Sequence, residues 1–224
     1  TSPFSPHRRG SIAAPGYGWD VDIAGTVAYI ANGHGGLWTV SVADPSAPAD
    51  LGSLDTGAIA LDELTRKASP PTASDGLLGQ LDTGADTLGI QVVGNLAYLA
   101  DAWAGLHIVD VSMPAQPARL GTANTPGRAV AVDMVGNLAY VADGAGGLRV
   151  ISVSEPANPV EIGYSALPLN ATDVVISGYV AYVTDALAGL RAMAILDPSQ
   201  PTQYGLLPLR GALTSVDATD ALVC

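Results

Sequence analysis

The sequence predicts an all-β protein, a β-propeller of four-stranded antiparallel blades, on three observations. Tyr98, Tyr140 and Tyr182 stand 42 residues apart, each inside a matching octapeptide. Each period divides into four apolar stretches of strand length, separated by turn residues. The 26 glycines and 16 prolines, with no sustained 3.6-residue period, favour short strands and turns over helices.

The repeat comes first because it sets every other boundary. Gly94-Asn95-Leu96-Ala97-Tyr98-Leu99-Ala100-Asp101 matches Gly136-Asn137-Leu138-Ala139-Tyr140-Val141-Ala142-Asp143, and Gly178-Tyr179-Val180-Ala181-Tyr182-Val183-Thr184-Asp185 follows. An earlier copy, Gly25-Thr26-Val27-Ala28-Tyr29-Ile30-Ala31-Asn32, lies 69 residues before the second. The 27 extra residues come with a short duplication, since Leu51-Gly52-Ser53-Leu54-Asp55-Thr56-Gly57-Ala58 recurs as Leu78-Gly79-Gln80-Leu81-Asp82-Thr83-Gly84-Ala85. Within this insertion, Ile59 to Ala68 reads as a brief helix stopped by Ser69-Pro70-Pro71.

Residues 1–18 read as the tail of a preceding blade, and 19–57 as the first whole blade. The insertion covers 58–84, and three further blades cover 85–127, 128–169 and 170–211. Residues 212–224 read as the first strand of another. Inside each unit, the first strand is short and apolar with a polar residue near its start: Asp20–Ala24, Gly89–Val93, Ala131–Val135, Asp173–Ser177. A two-residue turn such as Gly94-Asn95 leads to the second strand, Leu-Ala-Tyr-Val-Ala or its equivalent. An Asp- and Gly-rich turn leads to the third, as in Leu106–Val111 and Leu148–Val153. A proline-bracketed loop then leads to the fourth, as in Val160–Tyr164. Several strands are apolar on both faces, as expected of blades sandwiched between blades. Four strands in 42 residues is the dimension of a propeller blade. Both ends stop in mid-blade, so the expectation is a part of a longer propeller with open edges that can pair with another chain.

Composition narrows the function. Twenty-one acids against nine Lys+Arg give a net charge of −12, which repels phosphate backbones and argues against nucleic acid as a partner. No run of apolar residues is long enough for a membrane-spanning helix. Cys224 is the only cysteine, so no internal disulfide forms and the redox compartment stays open. Residues 1–18 show no basic start followed by an apolar stretch, and the chain begins with Thr1.

The segment Leu106-His107-Ile108-Val109-Asp110, after Ala97-Tyr98-Leu99-Ala100-Asp101 and before Pro114-Ala115-Gln116-Pro117, resembles the LVIVD repeat family. The resemblance covers nearly all of the chain except the insertion. It is weakest in the last whole repeat, where Arg191-Ala192-Met193-Ala194-Ile195 replaces the name-giving residues. It implies a propeller fold in a bacterial or archaeal protein, secreted or displayed on the cell surface. It carries no catalytic residues across.

In a propeller, the turns between second and third strands share a face with the blade connections, and ligands meet that face or the central channel. Asn32, Asp101, Asp143 and Asp185 recur at the start of these turns. Carboxylates repeated by symmetry suit calcium, which takes about six to eight oxygens. The stronger expectation is structural, because Asp or Asn before a Gly-rich turn bonds the turn's backbone. No metal or other cofactor is therefore expected. Residues that break the repeat are better candidates for binding: His34 and Trp103 in two of the turns, and Tyr17, Trp19 and Arg128 at or beside blade connections.

His107 shares a slot with Trp38, Arg149 and Arg191, and a slot that accepts such different side chains reads as solvent-facing. Three histidines with no helical or strand pairing do not make a zinc site. No G-x-S-x-G elbow appears, and Gly144-Ala145-Gly146-Gly147 joins two strands rather than opening a phosphate-binding helix. No catalytic residue is assigned. The expected function is non-enzymatic binding of a protein or carbohydrate ligand, with a hydrolase or lyase at the channel mouth as the alternative and a structural spacer as the third.

Overall fold

A computed structural model describes residues 17–44, 48–54, 85–165, 170–209, 213–219 and 222–223. The helix expected at 59–68, the rest of the insertion and residues 1–16 lie outside the described residues. The described chain is all-β, with no helix. It forms four four-stranded antiparallel sheets, each laid down in sequence order from inner to outer strand.

The first blade consists of β1 (Asp20–Ala24), β2 (Val27–Ala31), β3 (Leu37–Ser41) and β4 (Ala49–Leu54). The second holds β5 (Gly89–Val93), β6 (Leu96–Ala100), β7 (Leu106–Asp110) and β8 (Ala118–Ala123). The third holds β9 (Ala131–Val135), β10 (Leu138–Ala142), β11 (Leu148–Ser152) and β12 (Val160–Tyr164). The fourth holds β13 (Ala171–Ser177), β14 (Val180–Asp185), β15 (Gly189–Ala194) and β16 (Thr202–Leu207). Beyond it, β17 (Ala218–Thr219) pairs with β18 (Leu222–Val223).

Local chemistry explains the hairpins. Gly25, Gly94, Gly136 and Gly178 open the turns between first and second strands with φ of 63°, 62°, 57° and 59°. The residue after each has negative φ, so the turn is of type II′, which needs glycine first and matches the strand twist. Each outer pairing carries a bulge at one shared place, between Thr39/Val40, Ile108/Val109, Val150/Ile151 and Ala192/Met193.

The blades hold together through faces that are apolar on both sides. Tyr29, Ala31 and Leu37 of the first blade pack on Ile90, Ala97, Leu99, Val109 and Val111 of the second. Tyr98, Ala100, Leu106 and Ile108 meet Ala139, Val141, Ile151 and Val153 in the same way. Tyr140, Ala142, Leu148 and Val150 then meet Val174, Ala181, Val183, Met193 and Ile195. The repeating tyrosine of the second strand is therefore the central contact to the next blade. Burial raises the pKa of the Tyr29, Tyr98 and Tyr140 hydroxyls.

At the centre, β1, β5, β9, β13 and the stretch leading into β17 lie side by side. Each inner strand is a sheet edge whose outward N–H groups need acceptors. Aspartates of the preceding blade supply them to β5, to β13 and to the stretch before β17, whereas β9 faces Gly89 and Gln91. Ile90 N–H donates to Asp20 Oδ2 (2.9 Å) and Val92 N–H to Asp22 Oδ2 (2.6 Å). Ile176 N–H donates to Asp133 Oδ2 (2.6 Å) and Val216 N–H to Asp173 Oδ2 (2.7 Å). The other oxygen of each carboxylate accepts the N–H of the following residue in its own strand.

The outer strands meet through glycine. A Cβ on Gly121 would lie 2.3 Å from Pro156 O, and one on Gly163 would lie 2.2 Å from Pro198 O, both in the next blade. At the equivalent Gly205 the nearest atom is Ala192 Cβ at 3.4 Å. Gly121→Ala and Gly163→Ala are each expected to cost about 1–3 kcal/mol by overpacking. Gly205→Ala, half-buried with ordinary contact distance for the added methyl, is expected to stay within about 0.5 kcal/mol. Urea unfolding of the three variants checks this; equal losses at all three would refute the packing assignment.

Candidate functional site

The candidate site is built on the face that carries the turns between second and third strands. At the base of these turns, Asn32, Asp101 and Asp143 are fully buried and Asp185 is nearly so. Six residues further on, in the third strand, stand Trp38, His107, Arg149 and Arg191. These positions correct the expectation of a solvent-facing slot. His107 is 2% exposed, Trp38 is buried, and the two arginines keep their side chains largely covered. The slot varies because it faces the buried acid, and both histidine and arginine answer that requirement.

In the second blade, Thr87 Oγ1 donates to Asp101 Oδ1 (2.8 Å). His107 Nε2 lies 3.0 Å from Asp101 Oδ2 but off the hydrogen-bond direction, and His107 Nδ1 is 2.7 Å from Thr122 Oγ1. In the third, Thr125 Oγ1 and Gly127 N–H donate to Asp143 at 2.5 and 2.8 Å, and Arg149 Nε stands 3.7 Å away. Arg149 also pairs with Glu161 and lies over the Tyr164 ring, 5.0 Å from its centre. In the fourth, Arg191 Nε donates to Asp185 Oδ2 (2.8 Å), Leu187 N–H donates to Oδ1 (3.0 Å), and Arg191 Nη1 donates to Gln203 Oε1. The bond to the acid's own turn is thus seen at Asp185, whereas Asp143 ties its blade to the connection before it. In the first blade both positions are uncharged, Asn32 with Trp38.

Thr122, His107 and Asp101 stand in the order hydroxyl, imidazole, carboxylate, a spacing that sequence reading missed. Arginine takes the histidine's place in the next two blades, and Thr122 lines neither central cavity. The set is therefore a clasp between turn and strand, and it recurs in the second, third and fourth blades. Among the described residues, no three His, Cys, Asp or Glu side chains stand together as metal ligands.

The other predicted residues separate into rim and mouth. His34 and Trp103 are exposed at the tips of their turns, beside Ala145 and Leu187 in equivalent places, with Trp103 72% and Leu187 85% exposed. His34 pairs with Asp86. Tyr17 is 83% exposed, and its backbone lies beside Gly33. None of these three lines a central cavity.

Trp19 and Arg128 are brought together at the mouth of the channel, in a cavity of about 470 Å³. Leu88, Val130 and Ala131 give its lining apolar surface, and Asp20, Thr172, Asp173, Thr214 and Ser215 give it polar groups. Trp19 is exposed, and its indole rests against Gly33, where a Cβ would stand 3.0 Å from Nε1. Burial pushes the Asp173 carboxyl up, the N–H groups of Val216 and Val174 pull it down, and the charges of Asp20 and Asp133 raise it further. A narrower cavity of about 240 Å³ lies further along the same inner strands, past Asp22, Gln91 and Asp133.

Comparison with known proteins agrees with this architecture. The LVIVD repeat model matches residues 15–56, 84–125, 126–165 and 170–206. No curated protein sequence matches the chain. Among solved structures, the computationally designed Ika8 protein superposes with a TM-score of 0.61 at 11% identity, over 91% of this chain and 53% of its own. A functionally unknown protein from Desulfotomaculum acetoxidans gives 0.64 at 9% identity, over 94% and 62%. The designed Ika4 protein gives 0.53 at 12% identity, over 62% and 84%. These likenesses concern the fold alone, and the chain spans about half the length of the Ika8 protein. Four matches across most of its length place the chain in the LVIVD repeat family.

The clasps generate two expectations. His107→Ala leaves the buried Asp101 carboxylate without its facing ring and is expected to cost about 3 kcal/mol. His107→Arg copies the neighbouring blades and should retain most of that stability in thermal unfolding; a loss as large as alanine's would reject the clasp. The second concerns pH. Burial raises the Asp185 pKa, but the bonds from Leu187 and Arg191 outweigh it, so the folded value lies below the ordinary one. Its stabilisation is therefore present above the ordinary carboxylate range and is lost as pH falls through the folded value. The stability gap between the native chain and Asp185→Asn should narrow between pH 6 and pH 3, roughly the window set by the ordinary carboxylate range. At Asp143, burial dominates and raises the pKa, so its contribution has the opposite sign: present at low pH and lost as pH rises through the folded value.

Proposed function

We propose that this member of the LVIVD repeat family is a non-enzymatic binding module, part of a secreted or surface-displayed bacterial or archaeal protein. Its rigid blades present one face to protein or carbohydrate ligands. The observation that carries this reading is the mouth cavity, whose volume lies in the range of small-ligand sites, roughly 300–1,000 Å³. Around it the turn tips differ from blade to blade, His34, Trp103, Ala145 and Leu187, each above a buried Asn or Asp. A constant scaffold under variable tips suits recognition.

Immobilised glycan and peptide panels, probed with the intact chain, test the reading. Binding to at least one panel is expected. Trp103→Ala together with Leu187→Ala should weaken any ligand that spans the rim by at least about tenfold, the 1.4 kcal/mol of a modest buried contact. A folded chain that binds neither panel would overturn the proposal.

A further inference from the structure

We propose that the channel mouth takes a neutral, hydroxyl-rich ring, the pyranose of a carbohydrate; this rests on the binding-module reading above. The cavity offers donors, acceptors and apolar surface together. Trp19 offers an exposed indole held against the Gly33 backbone, a flat platform for the C–H face of a sugar. Leu88, Val130 and Ala131 add apolar surface. Arg128 brings a guanidinium with no carboxylate partner among the described residues, so its donors are available to ligand oxygens. The hydroxyls of Thr214 and Ser215 are exposed.

The two carboxylates decide the charge of the ligand. Each oxygen of Asp20 and of Asp173 already accepts one backbone N–H, from Val21, Ile90, Val174 and Val216. A carboxylate oxygen retains a lone pair after one such bond, enough to accept a sugar hydroxyl. Its charge is already spread over strong donors, so a free cation gains less there than at an unsatisfied acid. An anionic sugar is disfavoured, because two acids face one arginine in a chain of net charge −12. A cavity that offers donors, acceptors and an aromatic face together matches a ring that bears hydroxyls around its edge and C–H groups on its faces.

Titration calorimetry of the intact chain against methyl glucoside, methyl galactoside, methyl mannoside and methyl glucuronoside tests this. At least one neutral pyranoside should bind, and its affinity should exceed that of the glucuronoside by about tenfold. Trp19→Ala and Arg128→Gln should each weaken it at least about tenfold, while Trp19→Phe keeps most of it. Met113→Ala, exposed in a loop on the opposite face, should leave it unchanged. Thermal unfolding of each variant separates lost binding from lost fold. Tighter binding of the glucuronoside, or binding indifferent to both mouth variants, would overturn the assignment. If peptides or larger glycans bind while no methyl pyranoside does, the mouth assignment fails and the module reading survives. If nothing binds on any panel, both fail.

Discussion

An inner strand of a propeller blade is the edge of a sheet, and its N–H groups turn toward the next blade rather than toward a partner strand. In this chain the requirement is met by carboxylates that reach across the gap. Asp20, Asp22, Asp133 and Asp173 each accept one N–H from their own strand and one from the strand beyond. Apolar faces supply the bulk of the attraction between blades, and they have no direction. The aspartates fix how far one inner strand stands along the next, and so align the residues around the channel.

The same chemistry imposes a rule on neighbouring repeats. A bridging aspartate can reach the N–H in the next blade only if the residue before that N–H does not claim it. Asp20 is followed in its slot by Gly89, Asp22 by Gln91, Asp133 by Val175 and Asp173 by Ser215. Where an acid follows a potential acceptor, the acceptor is left idle. Met134 N–H is bound by its own Asp133, and Gln91 Oε1 is buried with no partner among the described residues. Gly89 has a second reason, since a Cβ there would lie 2.7 Å from Val130 O. Differences between repeats that look like drift are therefore correlated from one blade to the next.

This explains which parts of the molecule were legible in the residues and which were not. Strand order, turn positions and the four whole blades follow from the 42-residue period and from glycine at the type II′ turns, both local signals. Trp19 and Arg128 stood out because they break the repeat, and they meet at the mouth. Tyr17, His34 and Trp103 break it equally and remain on the rim, since the distance from the channel axis is not encoded by position within a turn. The His107 slot misled because variability normally signals exposure. Here the constraint is on a pair, so the slot residue varies while buried, as long as it suits the acid or amide six residues before it. The aspartate bridges were invisible because each one depends on the identity of a residue in another repeat.

The pair also accounts for the one blade that departs from it. A buried carboxylate without a facing cation carries a large desolvation cost, so an acid and a neutral slot residue cannot share a blade at no penalty. The first blade has Trp38 in the slot and Asn32 at the turn, and both positions lose their charge together. The second has histidine with an acid, and the third and fourth have arginine with an acid. The slot and the turn base therefore change as a unit while the exposed tip between them changes freely. In the first three blades His34, Trp103 and Ala145 follow a residue of positive φ, Gly33, Ala102 and Gly144, so these turns keep one conformation whatever residue occupies the tip. That separation of scaffold from tip lets a repeat protein vary its exposed tips without disturbing the blade beneath them.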